Sequence, residues 1–572
     1  MMEDDASACP HGLPIPSSAA DYHHDDATAT SGRGRGGGRS EGTDVVVGRL
    51  AYFTSDCRPL VVDDGGGECG PPRPGVTVAV VGVHGSGRNA RAMLRRLVAA
   101  VSTKNDDVDD DDDDDERDGE HDDDDDDDER TTAVANSNGG AGGEILIIAP
   151  WFLSPADDAV VVVCPPPAPA VDPPPSSPPY LRWVDDPHGP LGIEHSFRYG
   201  AESIIAAPTI EGGGGGGTDD ATTAESTART TISSYAAMDI LIETLCDRTM
   251  YPNLERISVV GHSAGGQLVH RWALTSGSWC FGDADADADG EEAAEGPPLL
   301  PSVRVVSANP RSYTYMDGRR YLPASAASSA KTDDDDGISS WDDGGGGGGG
   351  GGRAPSLSLS SSSSSSSFNG LVFRHPTESE FDECRNYNRY MWGLEDNPDL
   401  PAPYVVRNLE RLMTTRYHRG GRLSRDSGDG NDAEDALFCR YAARDVVYLS
   451  GERDTDMLQD QISNGDGYQG PSRGERCERY HASLQVRGNE VLSRDRRRRG
   501  DDVADEEEDG RGPRMNNNAR DRAKAGFRPA HAEGREVRVH RRIVVKGVGH
   551  NGGLMFQSEE GRTAMILLNR IF

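Results

Sequence analysis

Homopolymeric runs limit how much of this chain can form a packed core. Of its 572 residues, those at 109–115 and 122–128 are all aspartate, 344–352 are all glycine and 360–367 are all serine. Such runs carry no apolar side chains, so burial cannot offset the conformational entropy lost on ordering them. Without these and similar stretches, roughly 300 to 350 residues remain, which is enough for one large α/β domain.

The same composition predicts how the chain is divided. We expect a disordered tail over residues 1–43 and one folded domain over 44–572. Within that domain, residues 368–440 are predicted to form a cap, because they lie in a long excursion between two predicted strands. Disordered low-complexity insertions are predicted near 104–140, 211–229, 282–297, 324–367 and 486–536.

Charge and cysteine content bear on partners and location. The formal net charge is −38, and much of it lies in the aspartate-rich insertions, which we interpret as solvated spacers. We therefore expect no nucleic-acid partner. Nine cysteines lack paired CxxC spacing, so neither a metal site nor a cofactor is predicted and a reducing compartment is favoured. Without an apparent signal peptide or membrane span, a cytoplasmic location is expected; the sequence does not predict the oligomeric state.

Strand and helix patterns alternate along the rest of the chain. Val76–Val83 is a nearly continuous apolar run, as expected for a strand covered on both faces, and residues 90–101 follow with helical spacing. This alternation predicts an α/β fold with a mostly parallel central sheet and helices on both faces. An antiparallel strand pair is predicted over 44–62 and a closing helix over 563–571. Further strands are predicted at 145–149, 257–260, 303–307, 446–449 and 543–545, and further helices at 233–245 and 267–274.

The strand predicted at 257–260 leads into Gly261-His262-Ser263-Ala264-Gly265-Gly266 and then a helix. The G-x-S-x-G pattern matters because of this context. Small residues around Ser263 let strand and helix approach closely at a strained turn, which exposes the serine hydroxyl above the sheet. Ser263 is therefore the predicted nucleophile.

A serine hydroxyl needs a base and a group that orients the base. His550 follows the last predicted strand in a glycine-flanked loop, so it is the predicted base. The acid is expected in the loop after the preceding strand, where Asp454 is the first choice, Asp456 the second and Glu452 the third. The order serine, acid, histidine is that of α/β-hydrolases.

The negative oxygen of a tetrahedral intermediate also needs hydrogen-bond donors. We predict the backbone amides of Ala264 and of Ser86, with Gly87 as the alternative to Ser86. The loop that holds Ser86 also fits the dinucleotide pattern G-x-G-x-x-A over residues 85–90. However, the acidic residues that follow it open an aspartate run and do not end a second strand, so this interpretation is not favoured.

These segments together resemble the α/β-hydrolase superfamily, over roughly residues 76–572 without the insertions. The similarity rests on HGSGRNA after a strand, the elbow GHSAGG, GERDT and GVGHNGG. HGSGRNA is also similar to the corresponding segment of polyhydroxybutyrate depolymerases and feruloyl esterases. Segments 233–239 and 469–473 are further likenesses. The resemblance implies that Ser263, Asp454 and His550 form the catalytic triad.

Two hypotheses of function follow. The first is a carboxylesterase-like serine hydrolase that acts on a small molecule with an ester bond, or less favourably an amide bond, through an acyl-enzyme on Ser263. The second is a non-catalytic binding protein that keeps the pocket, since a fold alone does not establish activity. The sequence predicts no substrate-binding residues.

Overall fold

The computed structural model describes fifteen parts of the chain, and the account of the fold concerns these. They are residues 11–16, 46–60, 71–102, 143–154, 157, 180–183, 196–204, 231–281, 300–324, 367–384, 386–395, 402–414, 431–455, 467–499 and 539–566.

A mostly parallel eight-stranded sheet lies at the centre of the domain, and a separate three-stranded sheet accompanies it. The described strands are β1 (His11–Pro16), β2 (Val46–Thr54), β3 (Val76–Val83), β4 (Glu144–Trp151), β5 (Arg256–His262), β6 (Ser302–Ala308), β7 (Arg320–Pro323), β8 (Ser367–Phe368), β9 (Leu371–Arg374), β10 (Asp445–Gly451) and β11 (Arg541–Val545). The order of the central sheet is β1-β2-β4-β3-β5-β6-β10-β11, and only β2 runs against the other strands. The three-stranded sheet is antiparallel and has the order β7-β9-β8.

Helices cover both faces of the central sheet. The described helices are α1 (Ala90–Ser102), α2 (Ser234–Cys246), α3 (Ala264–Thr275), α4 (Glu378–Glu383), α5 (Pro403–Thr414), α6 (Asn431–Ala442), α7 (Arg473–Arg499), α8 (Gly552–Gln557) and α9 (Glu559–Ile566). Helices α1, α8 and α9 pack on one face, and α2, α3, α5, α6 and α7 contribute to the core on the other. The predicted α/β fold, mostly parallel with helices on both faces, is thereby confirmed.

Strand β3 shows why this sheet reads as apolar runs. Val80 packs with the α1 side, whereas Ala79 and Val81 pack with the α3 side, and all three are fully buried. Successive side chains of a strand point to opposite faces, so a strand covered twice needs an apolar residue at nearly every position.

The structure corrects four sequence predictions. His11–Pro16, within the predicted disordered tail, forms β1 and buries Leu13 in the core. The described part of the range 44–62, residues 46–60, holds one strand and not a pair, because the antiparallel partner of β2 on that edge is β1. Helix α7 extends to Arg499, so the predicted start of the disordered insertion at residue 486 is too early. The closing helix, predicted over 563–571, begins four residues earlier as Glu559–Ile566, and residues 567–572 lie outside the described residues.

The described part of region 368–440 packs beside the sheet. Tyr390, Met391 and Trp392 are buried in the core that also contains α3. None of the described residues of this region lines the cleft at Ser263. The cap therefore stays a prediction, and residues 396–401 and 415–430 of this region lie outside the described residues.

Candidate active site

Ser263 occupies a strained turn between β5 and α3. Its backbone has φ +55° and ψ −114°, a conformation that costs a non-glycine residue of the order of 1–3 kcal/mol. The Ser263 amide donates to the Ala308 carbonyl at 2.9 Å, which ties the turn to the end of the neighbouring strand β6. The surrounding packing thus holds the serine in a conformation that it would not adopt by itself.

Three glycines allow this turn to fit. A Cβ at Gly261 would lie 2.3 Å from the Gly265 carbonyl oxygen, and one at Gly265 would lie 2.2 Å from that of Val83. A Cβ at Gly266 would lie 2.7 Å from the Ala308 carbonyl oxygen. These contacts are with backbone atoms, which cannot rotate away. The glycines therefore let β5, α3 and the adjacent strand ends approach closely.

The structure brings Ser263, His550 and Asp454 into one hydrogen-bonded series. His550 Nε2 lies 3.1 Å from Ser263 Oγ, and His550 Nδ1 lies 2.9 Å from Asp454 Oδ2. Of the other acid candidates, Glu452 is exposed and accepts from the Gly547 amide. Asp456 lies outside the described residues.

The surroundings of Asp454 determine which nitrogen of His550 carries the proton. Burial by itself would raise the pKa of Asp454, but its hydrogen bond with His550 and the charge of Arg473, 3.4 Å away, outweigh burial and lower that pKa. An ionised carboxylate only accepts hydrogen bonds, so His550 donates through Nδ1–H. Nε2 is then free to accept a proton from Ser263.

Two further histidines lie beside this series. His262 packs against His550 with their ring centroids 4.7 Å apart, and burial, reinforced by the nearby His550, lowers the pKa of His262 to about 3. Burial also lowers the pKa of His84 to about 4. Both rings are thus neutral at pH 7. His84 Nε2 accepts from the Phe152 amide at 3.2 Å, so its proton is on Nδ1, which donates to the Gly85 carbonyl at 2.8 Å.

The predicted oxyanion donors lie in the two loops that meet at Ser263. Ala264 is the first residue of α3, and Ser86 lies in the turn closed by the Arg88 amide on the Gly85 carbonyl at 3.1 Å. Among the described residues, the amides of Ala264 and Ser86 donate no hydrogen bond to another protein group. A Cβ at Gly85 would lie 3.6 Å from Ser263 Cβ, so the first loop passes directly beside the candidate nucleophile.

A cleft of about 270 Å³ opens at Ser263. One wall is the loop after β3, and another is the face of α1 that carries Ala92, Met93 and Arg96. The loop of the dinucleotide pattern faces this cleft, and the acidic residues 106 and 107 of that pattern lie outside the described residues. Within the described ranges, no cluster of three or more His, Cys, Asp or Glu could hold a metal ion, and no helix is long and apolar enough to cross a membrane.

Sequence reasoning did not identify several residues around this site. Arg473 lies in segment 469–473, for which the sequence indicates similarity to α/β-hydrolases but no role. Its contact with Asp454 depends on how α7 packs against β10. Arg96 follows Ala92 and Met93 at helical spacing on α1, a periodicity that could have marked one face of the helix. His262 was visible only as the variable position of G-x-S-x-G.

Comparisons with known proteins give distant similarities. No protein-family model and no curated protein sequence matches this chain. Among solved structures it is similar to the LpqC poly(3-hydroxybutyrate) depolymerase from Bordetella parapertussis, with 14% identity, 89% of this chain and 83% of that chain covered, and a TM-score of 0.32. It is also similar to poly(aspartic acid) hydrolase-1 from Sphingomonas sp. KT-1, with 12% identity, 89% and 90% covered, and a TM-score of 0.32. Neither similarity is close enough to transfer a reaction or a substrate.

Proposed function

We propose that this chain is a carboxylesterase-like serine hydrolase that cleaves an ester bond of a small molecule through an acyl-enzyme on Ser263. The observation that carries the proposal is the series from Ser263 Oγ through His550 to Asp454, with distances of 3.1 and 2.9 Å, at a turn with positive φ. Neither distance requires movement before a proton is transferred.

In this mechanism, Ser263 Oγ attacks the substrate carbonyl while His550 Nε2 takes the hydroxyl proton. Asp454 keeps His550 in the required tautomer and stabilises the imidazolium. The amides of Ala264 and Ser86, or Gly87 in place of Ser86, donate to the oxyanion, and each such donor typically lowers the barrier by about 3 kcal/mol. His550 returns the proton to the leaving alkoxide, and a water molecule then hydrolyses the acyl-enzyme by the same route. No metal or cofactor takes part, and an amide is the less favoured substrate.

The test is hydrolysis of 4-nitrophenyl acetate by the wild-type chain, by Ser263→Ala and by Ser302→Ala. Ser302 is an exposed serine at the start of β6, remote from the cleft, so it controls for loss of a serine hydroxyl. We expect Ser263→Ala to lower kcat by roughly a thousandfold or more and Ser302→Ala to retain activity. Full activity of Ser263→Ala would contradict the nucleophile. A folded wild-type chain with no turnover would favour the non-catalytic binding protein.

A further inference from the structure

The charge of the cleft at Ser263 is opposite to the charge of the whole chain. The chain has a formal net charge of −38, yet no acidic side chain is among the described residues that line this cleft. Its charged lining residues are two arginines, Arg88 and Arg96. The buried His84 and His262 beside them are neutral at pH 7, so they neither add to this positive charge nor oppose it.

Arg88 and Arg96 differ in whether an acidic side chain of the described ranges lies near their charge. Arg88 Nη1 lies 4.0 Å from Asp157 Oδ2, and that same oxygen accepts from the Ser154 amide at 2.6 Å. Arg96 makes no hydrogen bond or ion pair with any described residue. Within the part of the chain that the structure describes, Arg96 therefore keeps its five N–H donors for a ligand, whereas Arg88 is partly neutralised.

The fold fixes where Arg96 stands relative to the reacting groups. Asn89, Ala92, Met93 and Arg96 are spaced as one face of α1, and all four line the cleft. The guanidinium end of the Arg96 side chain lies close to Gly553, three residues after His550: a Cβ at Gly553 would lie 3.6 Å from both Arg96 Cδ and Arg96 Nε.

We infer that the substrate of this site is an ester that also carries a carboxylate, which Arg96 binds within the cleft while Ser263 attacks the ester carbonyl. This inference rests on the proposed function and adds a substrate class to it. A guanidinium and a carboxylate can form two parallel hydrogen bonds, which orient the substrate as well as attract it. The attraction acts over the few ångströms inside the cleft, so salt weakens it less than it weakens interactions between charges that lie more than a Debye length apart.

The experiment compares matched neutral and anionic esters. Ethyl butyrate and monoethyl succinate differ in a terminal methyl or carboxylate on the acyl side. 4-Methylphenyl acetate and 4-acetoxybenzoate differ in the same way on the leaving side. The measured quantity is the ratio of kcat/KM for the anionic ester to that for its neutral partner, because this ratio cancels a general loss of activity.

We expect the ratio to be about tenfold in favour of the anion for at least one pair. Arg96→Gln should lower that ratio by about tenfold, which corresponds to about 1.4 kcal/mol, and Arg96→Lys should restore part of it. Arg95→Gln is the matched control, since Arg95 is the exposed neighbour on α1 that does not line the cleft, and it should leave the ratio unchanged. Added salt should lower the wild-type ratio.

A ratio at or below one for both pairs overturns the inference, as does a ratio that Arg96→Gln leaves unchanged. Both results leave the proposed function intact, because the neutral esters are still hydrolysed. If the folded wild-type chain hydrolyses none of the four esters and Ser263 is not labelled by a fluorophosphonate, the proposed function fails and this inference fails with it.

Discussion

His550 Nδ1 lies 2.9 Å from Asp454 Oδ2, although 96 positions separate these residues in the chain. Their contact follows from the sheet, because β10 and β11 pair in parallel and the turns after them meet at one edge. The Arg453 amide also donates to the Val548 carbonyl at 2.9 Å, which joins the two turns directly. Backbone hydrogen bonds thus place the turns that carry Asp454 and His550 side by side, independently of the contact between the two side chains.

The first prediction concerns the acid. Asp454→Asn removes the ionised acceptor that keeps the proton of His550 on Nδ1. We therefore expect kcat for 4-nitrophenyl acetate to fall by about a thousandfold or more, while circular dichroism shows a folded protein. Glu452→Gln is the matched control in the same turn, and we expect it to stay within about threefold of the wild type. The reverse result, with Glu452→Gln inactive and Asp454→Asn active, would show that Glu452 and not Asp454 is the acid.

The second prediction concerns the turn at Ser263. Gly261→Ala places a methyl group 2.3 Å from the Gly265 carbonyl oxygen, so strand and helix must separate. We expect the free energy of unfolding, measured by urea denaturation, to fall by about 1–3 kcal/mol or more. Gly87→Ala is the comparison, since a Cβ there meets no atom of the described residues within 4 Å. Equal stability of the two variants would show that the turn has more room than described.

Much of the fold could be predicted from the sequence, since it depends on local patterns. Strands covered on both faces read as apolar runs, and the elbow glycines occur within six residues of one another. The order serine, acid, histidine also follows from the chain alone. These features predict that Ser263, Asp454 and His550 lie at the same edge of the sheet.

Other features depended on tertiary packing. Strand β1 has two prolines in six residues and no β-branched alternation, so the segment resembled the surrounding tail; it is a strand because β2 pairs with it. Helix α7 continues through a charged segment that composition alone assigned to disorder. The contact of Arg473 with Asp454 and the arginines of the cleft also depend on packing. They join segments that are far apart in the chain, and the sequence does not show which of their residues will face each other.

The third prediction concerns acid pH. Burial lowers the pKa of both His84 and His540 to about 4 from an ordinary value of 6.5. Between these values the unfolded chain binds protons that the folded chain does not, so stability increases with pH. We expect the free energy of unfolding to decrease from about pH 6.5 towards pH 4, by up to about 3 kcal/mol for each histidine.

Urea denaturation at a series of pH values measures this slope, and His540→Gln should make it shallower. Asp454 has a separate window: its pKa is lowered, so its contribution is present above the unfolded value of 3.8 and is lost only as the pH falls below it. A free energy of unfolding that does not change between pH 6.5 and 4 would mean that the buried histidines accept protons without unfolding.

The central claim is that Ser263 is an activated nucleophile. The most direct measurement is labelling of the folded chain with a fluorophosphonate, followed by mass spectrometry of its peptides. The account predicts one modified residue, Ser263, with no labelling in Ser263→Ala and much slower labelling in His550→Ala, because the hydroxyl then lacks its base. Modification of another serine, or equal labelling of Ser263→Ala, would contradict the account.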